Sequence, residues 1–267
     1  MSSEHTINLE DAAHSVLSWW AAAGVDACLT DDPHNQLAAK APVVAMPPPR
    51  SAPDSPHTTP AAGQPCQTEP LVVDATPLAQ AATTPAELEA AIRAFDGCAL
   101  KATAANTVVC RGAWDAKLMI IGEAPGADED RLGQPFVGRS GQLLDRMLAA
   151  VGISSEEVLI TNVCYWRPPQ NRKPSALELA QCAPFVIRAI ELMRPSVIVL
   201  AGGSATQSVL GLDAGILSLR GRWHTWTSPD GMLKIPVMPS LHPAFLLRQP
   251  LAKKKAWADI LAATAKL

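Results

Sequence analysis

Apolar and polar positions divide the chain into two regimes. From about residue 84 onward, short apolar runs alternate with segments of helical periodicity. Leu118–Ile121, VLITN at 158–162, SVIVLAGG at 196–203 and LKIPVMPS at 233–240 are continuous apolar runs bounded by turn residues. That is the pattern of strands buried on both faces. Helical segments lie around and between them: GQLLDRMLAAVG, SATQSVLG, and LAKKKAWADILAATAKL at the end. Two more helices open on capping boxes, in which a hydroxyl and a glutamate three residues later satisfy each other's backbone N–H. Thr84-Pro85-Ala86-Glu87 starts one that runs to about Phe95, and Ser175-Ala176-Leu177-Glu178 starts one that ends near Arg194. The segments DGCALKATAANTVVCRGAWDAK and HPAFLLRQP read as loops, the first with one short hairpin, and GILSLRGRWHTW reads as an edge strand or hairpin. Strands alternating with helices predict an α/β fold with three layers, α/β/α, around a central four-stranded parallel sheet with right-handed crossovers.

Before residue 84 the pattern changes. Residues 8–29 place Leu9, Ala12, Val16, Trp19, Trp20 and Ala23 near one face of an amphipathic helix. A docking role on the main domain or on a protein partner follows, since two tryptophans are costly to leave in water. Residues 31–84 are rich in Pro, Ala, Thr and Ser and hold nearly half of the 24 prolines. With few large apolar groups to offset ordering entropy, this stretch reads as a disordered linker. The expected organisation is therefore a helix in residues 1–30, a linker over 31–84 and one folded domain over 85–267.

Composition sharpens this in three ways. The net charge of −3 conceals −9 over residues 1–89 and +6 over 90–267, an acidic appendage beside a basic domain, which suits a nucleic-acid partner. The six cysteines, Cys28, Cys66, Cys98, Cys110, Cys164 and Cys182, form no CxxC pair and read as reduced, buried thiols. No apolar run reaches membrane-spanning length, and the acidic start MSSEHTINLEDAAH does not resemble a signal peptide, so a cytoplasmic location is expected.

The candidate chemistry sits where the strands end. In a parallel sheet the loops after successive strands emerge on one side. Glu123, Glu129 and Phe136 follow the first strand, Asn162 the second and His242 the fourth. An aromatic ring, an amide, an imidazole and carboxylates converging from separate loops suit a planar, hydrogen-bonding ligand such as a nucleobase.

The stretches GEAPGADEDRLGQPFVGRSGQLLDRML, TNVCYWRPPQNRKP and HPAFLLR, in this order over roughly residues 90–267, resemble the uracil-DNA glycosylases, specifically their family 4 branch. The resemblance implies an enzyme that flips deoxyuridine out of DNA, hydrolyses the N-glycosidic bond and leaves an abasic site. It implies that Phe136 stacks on uracil and that the Asn162 amide reads its edge. His242 would stabilise the departing base by a hydrogen bond to O2. Gly122 and Ala124 would line the base site, with backbone N–H groups of the 122–126 turn. Glu123 would position water, with Glu129 near the water or blocking a thymine methyl. Ala124 stands where another branch has a water-activating aspartate. Gly202, Gly203 and Ser204 would meet a DNA phosphate; Leu246 and Leu247 would wedge into the minor groove while Arg248 meets phosphate. Lys253, Lys254 and Lys255 read as further backbone contacts or a solvated helix face. Most family 4 members hold a [4Fe-4S] cluster on four cysteines, whose positions here are Phe95, Cys98, Trp166 and Cys182. Only two of these are thiols, so no cluster and no other metal cofactor is expected, with the two aromatics filling its volume. The chain is expected to act as a monomer on uracil-containing DNA. A non-catalytic DNA-binding protein of the same fold and a small-nucleotide hydrolase are the competing readings; the set Asn162, Phe136 and His242 disfavours the first, and the HPAFLLR wedge and basic domain the second.

Overall fold

The structure, a computed structural model, describes residues 74–267. The segments expected to form an amphipathic helix (8–29) and most of a linker lie outside the described residues. The linker's expected end does not stand: Thr76–Ala81 forms a helix (α1) that precedes the capping box. Ala79 within it and its two caps, Ala75 and Ala82, are buried, and the Arg188 guanidinium donates to the Ala82 carbonyl at 2.8 Å. Small side chains let this short helix lie close against its neighbour, which a composition-based reading takes for linker.

The two capping boxes form as their sequences dictate. Thr84 caps Pro85–Ala94 (α2) and Ser175 caps Ala176–Met193 (α5), each accepting from the backbone N–H three residues on. The strands are Cys110–Gly112 (β1), Leu118–Gly122 (β2), Val158–Asn162 (β3), Val197–Ala201 (β4), His224–Thr227 (β5) and Lys234–Ser240 (β6). They make a six-stranded sheet in the order β1-β3-β2-β4-β6-β5, not the four strands expected. The expected parallel set β3-β2-β4-β6 is its centre; β1 and β5 are short antiparallel edges on β3 and β6. The GILSLRGRWHTW segment accordingly splits into a helical turn, Ile216–Leu219 (α7), and the edge strand β5.

Alternation along the central strands sorts the layers. Met119, Ile121, Leu159, Ile198 and Leu200 pack with residues of α1, α2 and α5 and with Ala205 of Gly203–Leu210 (α6). Leu118, Ile120, Ile160, Val197 and Val199 face the other way, onto Leu144 and Leu148 of Arg139–Ala150 (α4) and Ala263 of Lys253–Thr264 (α9). Ala127–Leu132 (α3) and Pro243–Arg248 (α8) complete the described α-helices and follow β2 and β6 at their carboxyl ends. HPAFLLR is thus a helix rather than a loop. Pro243 sits at its first turn and His242 is its N-cap, whose Nδ1 accepts from the Ala244 N–H at 3.1 Å. Among the described residues no helix is long and apolar enough to cross a membrane.

Candidate active site

The carboxyl ends of β2, β3 and β6 open into one cleft of about 460 Å³, within the range of small-molecule sites. Glu123, Ala124, Phe136, Asn162, His242 and Arg248 line it. Its floor is set by Gly122. A Cβ built there would lie 2.5 Å from both Asn162 Oδ1 and Phe136 Cζ. The amide oxygen and the ring edge therefore lean over the same bare backbone, and any side chain at 122 would displace one of them. The Phe136 and His242 rings stand 5.5 Å apart between centroids, tilted by 33°. Sequence reasoning placed these three groups near one another, and the fold brings them together.

Each wall group is held in a defined chemical state. Asn162 is 1% exposed, and its Oδ1 is buried without a hydrogen-bond partner. A buried amide oxygen left unpaired is destabilising by about 1–3 kcal/mol, so this atom is an acceptor open to a donor. His242 accepts at Nδ1 from Ala244, which leaves its proton on Nε2. Burial, then the nearby Arg248 charge, press its pKa down to about 4, partly offset by Glu129. The ring is neutral at neutral pH and offers one N–H.

Glu129 lines the same cleft, but its oxygens are committed. One accepts from the Gly126 N–H at 3.1 Å; the other accepts from Val137 at 3.0 Å and Gly138 at 2.9 Å. Such a carboxylate clamps two loops together and, with its oxygens engaged, is poorly suited to activating water, whereas its fixed position at the cleft is compatible with screening a methyl group. Glu123 is the remaining cleft carboxylate of the expected pair.

The expected DNA-facing residues divide. Leu246 is fully buried, in a cluster with Leu143, Leu241 and Ala256, so it cannot act as a wedge. Helix α8 turns it inward; Leu247 is 36% exposed and Arg248 is exposed at the cleft. Gly202, in the left-handed region at φ 103°, passes close to His242, where a Cβ would stand 3.2 Å from the histidine Cβ. Gly203 begins α6, and the buried Ser204 hydroxyl beside it has no partner. Lys253, Lys254 and Lys255 are exposed on α9.

Sequence reasoning missed the opposite wall, formed by Pro168, Asn171 and Arg172. Gln170 and Asn171 both have φ of 55°, a sharp reversal secured by the Arg167 Nε bond to Asn171 Oδ1 at 2.8 Å. Arg172 forks onto Glu178 at 2.9 and 2.6 Å, which holds the Glu178 carboxyl down at about 2. The signal was the motif RPPQNRKP itself, whose consecutive turn formers mark a shaped loop.

The four cluster positions can be tested against what a [4Fe-4S] group requires. Phe95 and Trp166 are buried with ring centroids 6.4 Å apart, and Phe185 packs edge-on to Phe95 at 5.3 Å. The Trp166 indole N–H donates to Thr107 Oγ1 at 3.0 Å. The Cys182 thiol is pushed well up by hydrogen bonding to Cys164 and Cys98 and by burial, while hydrogen bonding from Cys182 lowers Cys98. Cys164 also donates to the Trp166 carbonyl at 3.4 Å, and Cys110, raised to about 12 by burial beside Glu89, faces that carboxylate. Two indispensable donors are rings packed into the core, so these residues do not fit a four-thiolate cluster. Among the described residues all four cysteines are free.

Comparison with known proteins agrees with the geometry. The profile of a family described as the uracil DNA glycosylase superfamily matches residues 111–261. The chain is 38% identical over 158 residues to a Type-4 uracil-DNA glycosylase of Thermotoga maritima, covering 59% of this chain and 80% of the relative. It is 38% identical over 164 residues to one of Archaeoglobus fulgidus (61% and 82%) and 34% identical over 178 residues to one of Pyrobaculum aerophilum (65% and 90%).

Proposed function

The chain belongs to the uracil-DNA glycosylase superfamily, and from that premise we infer that it is a DNA-repair hydrolase that releases uracil from DNA and leaves an abasic site. The observation that carries this is the unpaired Asn162 Oδ1, buried beside Phe136 and in the same cleft as His242. Uracil extruded into that cleft presents an N3–H to the waiting oxygen and a carbonyl to the amide NH2. Cytosine has no proton on N3, so the same oxygen would face another acceptor. The Phe136 ring supplies a stacking face, and Gly122 leaves room beneath it.

As the N-glycosidic bond lengthens, charge accumulates on uracil O2 and the sugar becomes oxocarbenium-like. The neutral His242 donates from Nε2 to that oxygen, an interaction stronger in the transition state than with the bound substrate. A cation-like sugar accepts a weakly activated water, and we assign its orientation to Glu123, which lines the cleft. Ala124 contributes no carboxylate. Arg248, Leu247 and the Asn171–Arg172 wall border the path of the strand, with Gly203 and Ser204 offering a phosphate site at the start of α6. Residues 85–267 carry this activity, together with the short helix at 76–81; the Trp19–Trp20 segment docks on the main domain or on a protein partner. The reaction runs without an iron–sulfur cluster, whose place is taken by Phe95 and Trp166.

The test is direct. A labelled oligonucleotide with one deoxyuridine should yield an alkali-labile site on incubation with the protein, faster in single strands than in a matched duplex, since extrusion is cheaper there. The same oligonucleotide with thymine or cytosine should remain intact. An intact uracil strand under conditions where the protein binds it would leave the non-catalytic reading standing.

A further inference from the structure

Phe136 is held in a backbone conformation that a bulky residue avoids, with φ at 55°. The ring needs it: the reversal drops the side chain over Gly122 and beside His242 while the main chain turns away to start α4. Something outside the loop must hold that conformation. On one side it is Glu129, which accepts the N–H groups of Val137 and Gly138. On the other side the carbonyls are taken by a single guanidinium. Arg111 Nε donates to the Pro135 carbonyl at 2.9 Å, and Nη2 donates to the Phe136 carbonyl at 3.2 Å. Nη2 also pairs with Asp145 of α4, and the Arg111 side chain is 16% exposed. Helix α4 approaches so closely that a Cβ on Gly141 would stand 1.7 Å from the Phe136 oxygen.

We propose that Arg111, on the edge strand β1, is a positioning residue for the reaction: it presets the Phe136 ring for the base by clamping the carbonyls of Pro135 and Phe136. This rests on the reading of Phe136 as the stacking residue. The planar fork of an arginine spans two adjacent carbonyls and an anchoring carboxylate at once, which a lysine ammonium does not reproduce with the same geometry. Arg111 touches neither base nor sugar, so its effect must pass through the ring.

A double-mutant cycle with Arg111→Ala and Phe136→Ala reads this. In single-turnover excision, Arg111→Ala should slow the wild-type background about tenfold, a typical cost of slight misplacement of a binding group. In the Phe136→Ala background the same change should alter the rate by less than about twofold, because the coupling has been removed. Affinity for abasic DNA should be unchanged in both backgrounds. An equal loss in both backgrounds, a loss confined to DNA affinity, or a wild-type rate in Arg111→Ala would overturn the proposal. If Arg111→Ala fails to fold, Arg111→Lys and Asp145→Asn are measured by the same cycle against the same criteria. The Phe136 ring resonances, observed in protein labelled at phenylalanine, give a reading without turnover: one narrow set in the wild type, shifted or broadened in Arg111→Lys. Unchanged resonances would refute the clamp. A wild type that excises nothing while the ring still responds to Arg111 would instead sink the functional reading alone.

Discussion

The segment that leaves β3 supplies two regions of opposite character within five residues. Asn162 opens onto the cleft, where an acceptor stays unpaired, a bulky residue is held at positive φ and a histidine is held neutral. Trp166 enters the core on the far side, where Phe95, Tyr165, Phe185 and three thiols pack together. There the indole N–H is satisfied and the orphan polar atom is the Tyr165 hydroxyl. The cleft gives up stability to keep groups available for a ligand; the aromatic core spends its bulk on holding the fold. The core fills the space around Cys98 and Cys182 with packed rings, and the cleft holds Phe136, Asn162 and His242 together.

The contrast is sharpest if each region is damaged in turn. Trp166→Ala should lower unfolding free energy by about 3–5 kcal/mol, as expected for emptying a large aromatic site. The excision rate of the surviving folded fraction, measured well below the melting transition, should stay close to wild type. His242→Ala should do the reverse: single-turnover excision falls by about 10²–10³-fold, the usual loss for a donor to a developing anion, while thermal melting and abasic-DNA affinity hardly change.

Acid should strain the cleft before the core. Because the folded His242 pKa of about 4 lies below its ordinary 6.5, the unfolded chain takes up the proton first as pH falls. The contribution is intact above pH 6.5 and is lost progressively down to about 4, amounting to at most about 3 kcal/mol. Denaturant titrations of wild type and His242→Asn across this window should diverge, the variant losing less stability; parallel curves would show that the ring titrates normally. The smallest effect is expected outside both regions: replacing Lys253 and Lys254 with Ala should leave melting unchanged and weaken DNA binding only slightly, in a salt-dependent way.

Much of this was legible in the chain. The four central strands are apolar on both faces, so their runs stand out, and Asn162 and His242 are readable because they sit at or just after strand ends. What escaped reading depends on partners distant in sequence. Strand β1 spans three residues and owes its form to pairing with β3. Leu246 reads as a wedge only if HPAFLLR is a loop; the six-residue helix turns it into the core. Glu129 reads as a reactive carboxylate in sequence, yet three backbone N–H groups from Gly126, Val137 and Gly138 occupy its oxygens. Arg111 lies in a stretch without periodicity, and its partners are 24 to 34 residues away. Helix α1 was hidden by a composition of Ala, Thr and Pro that also describes linkers.

The claim that one slot grips an extruded uracil by the amide, ring and imidazole is met most directly by nitrogen-resolved NMR of the His242 ring and the Asn162 side chain, recorded as abasic DNA and free uracil are added. The account predicts a neutral imidazole protonated on Nε2 before addition, then concerted shifts of that N–H and of the Asn162 NH2 on binding. A ring protonated on Nδ1, or signals at both residues that stay fixed at saturating uracil and DNA, would contradict it.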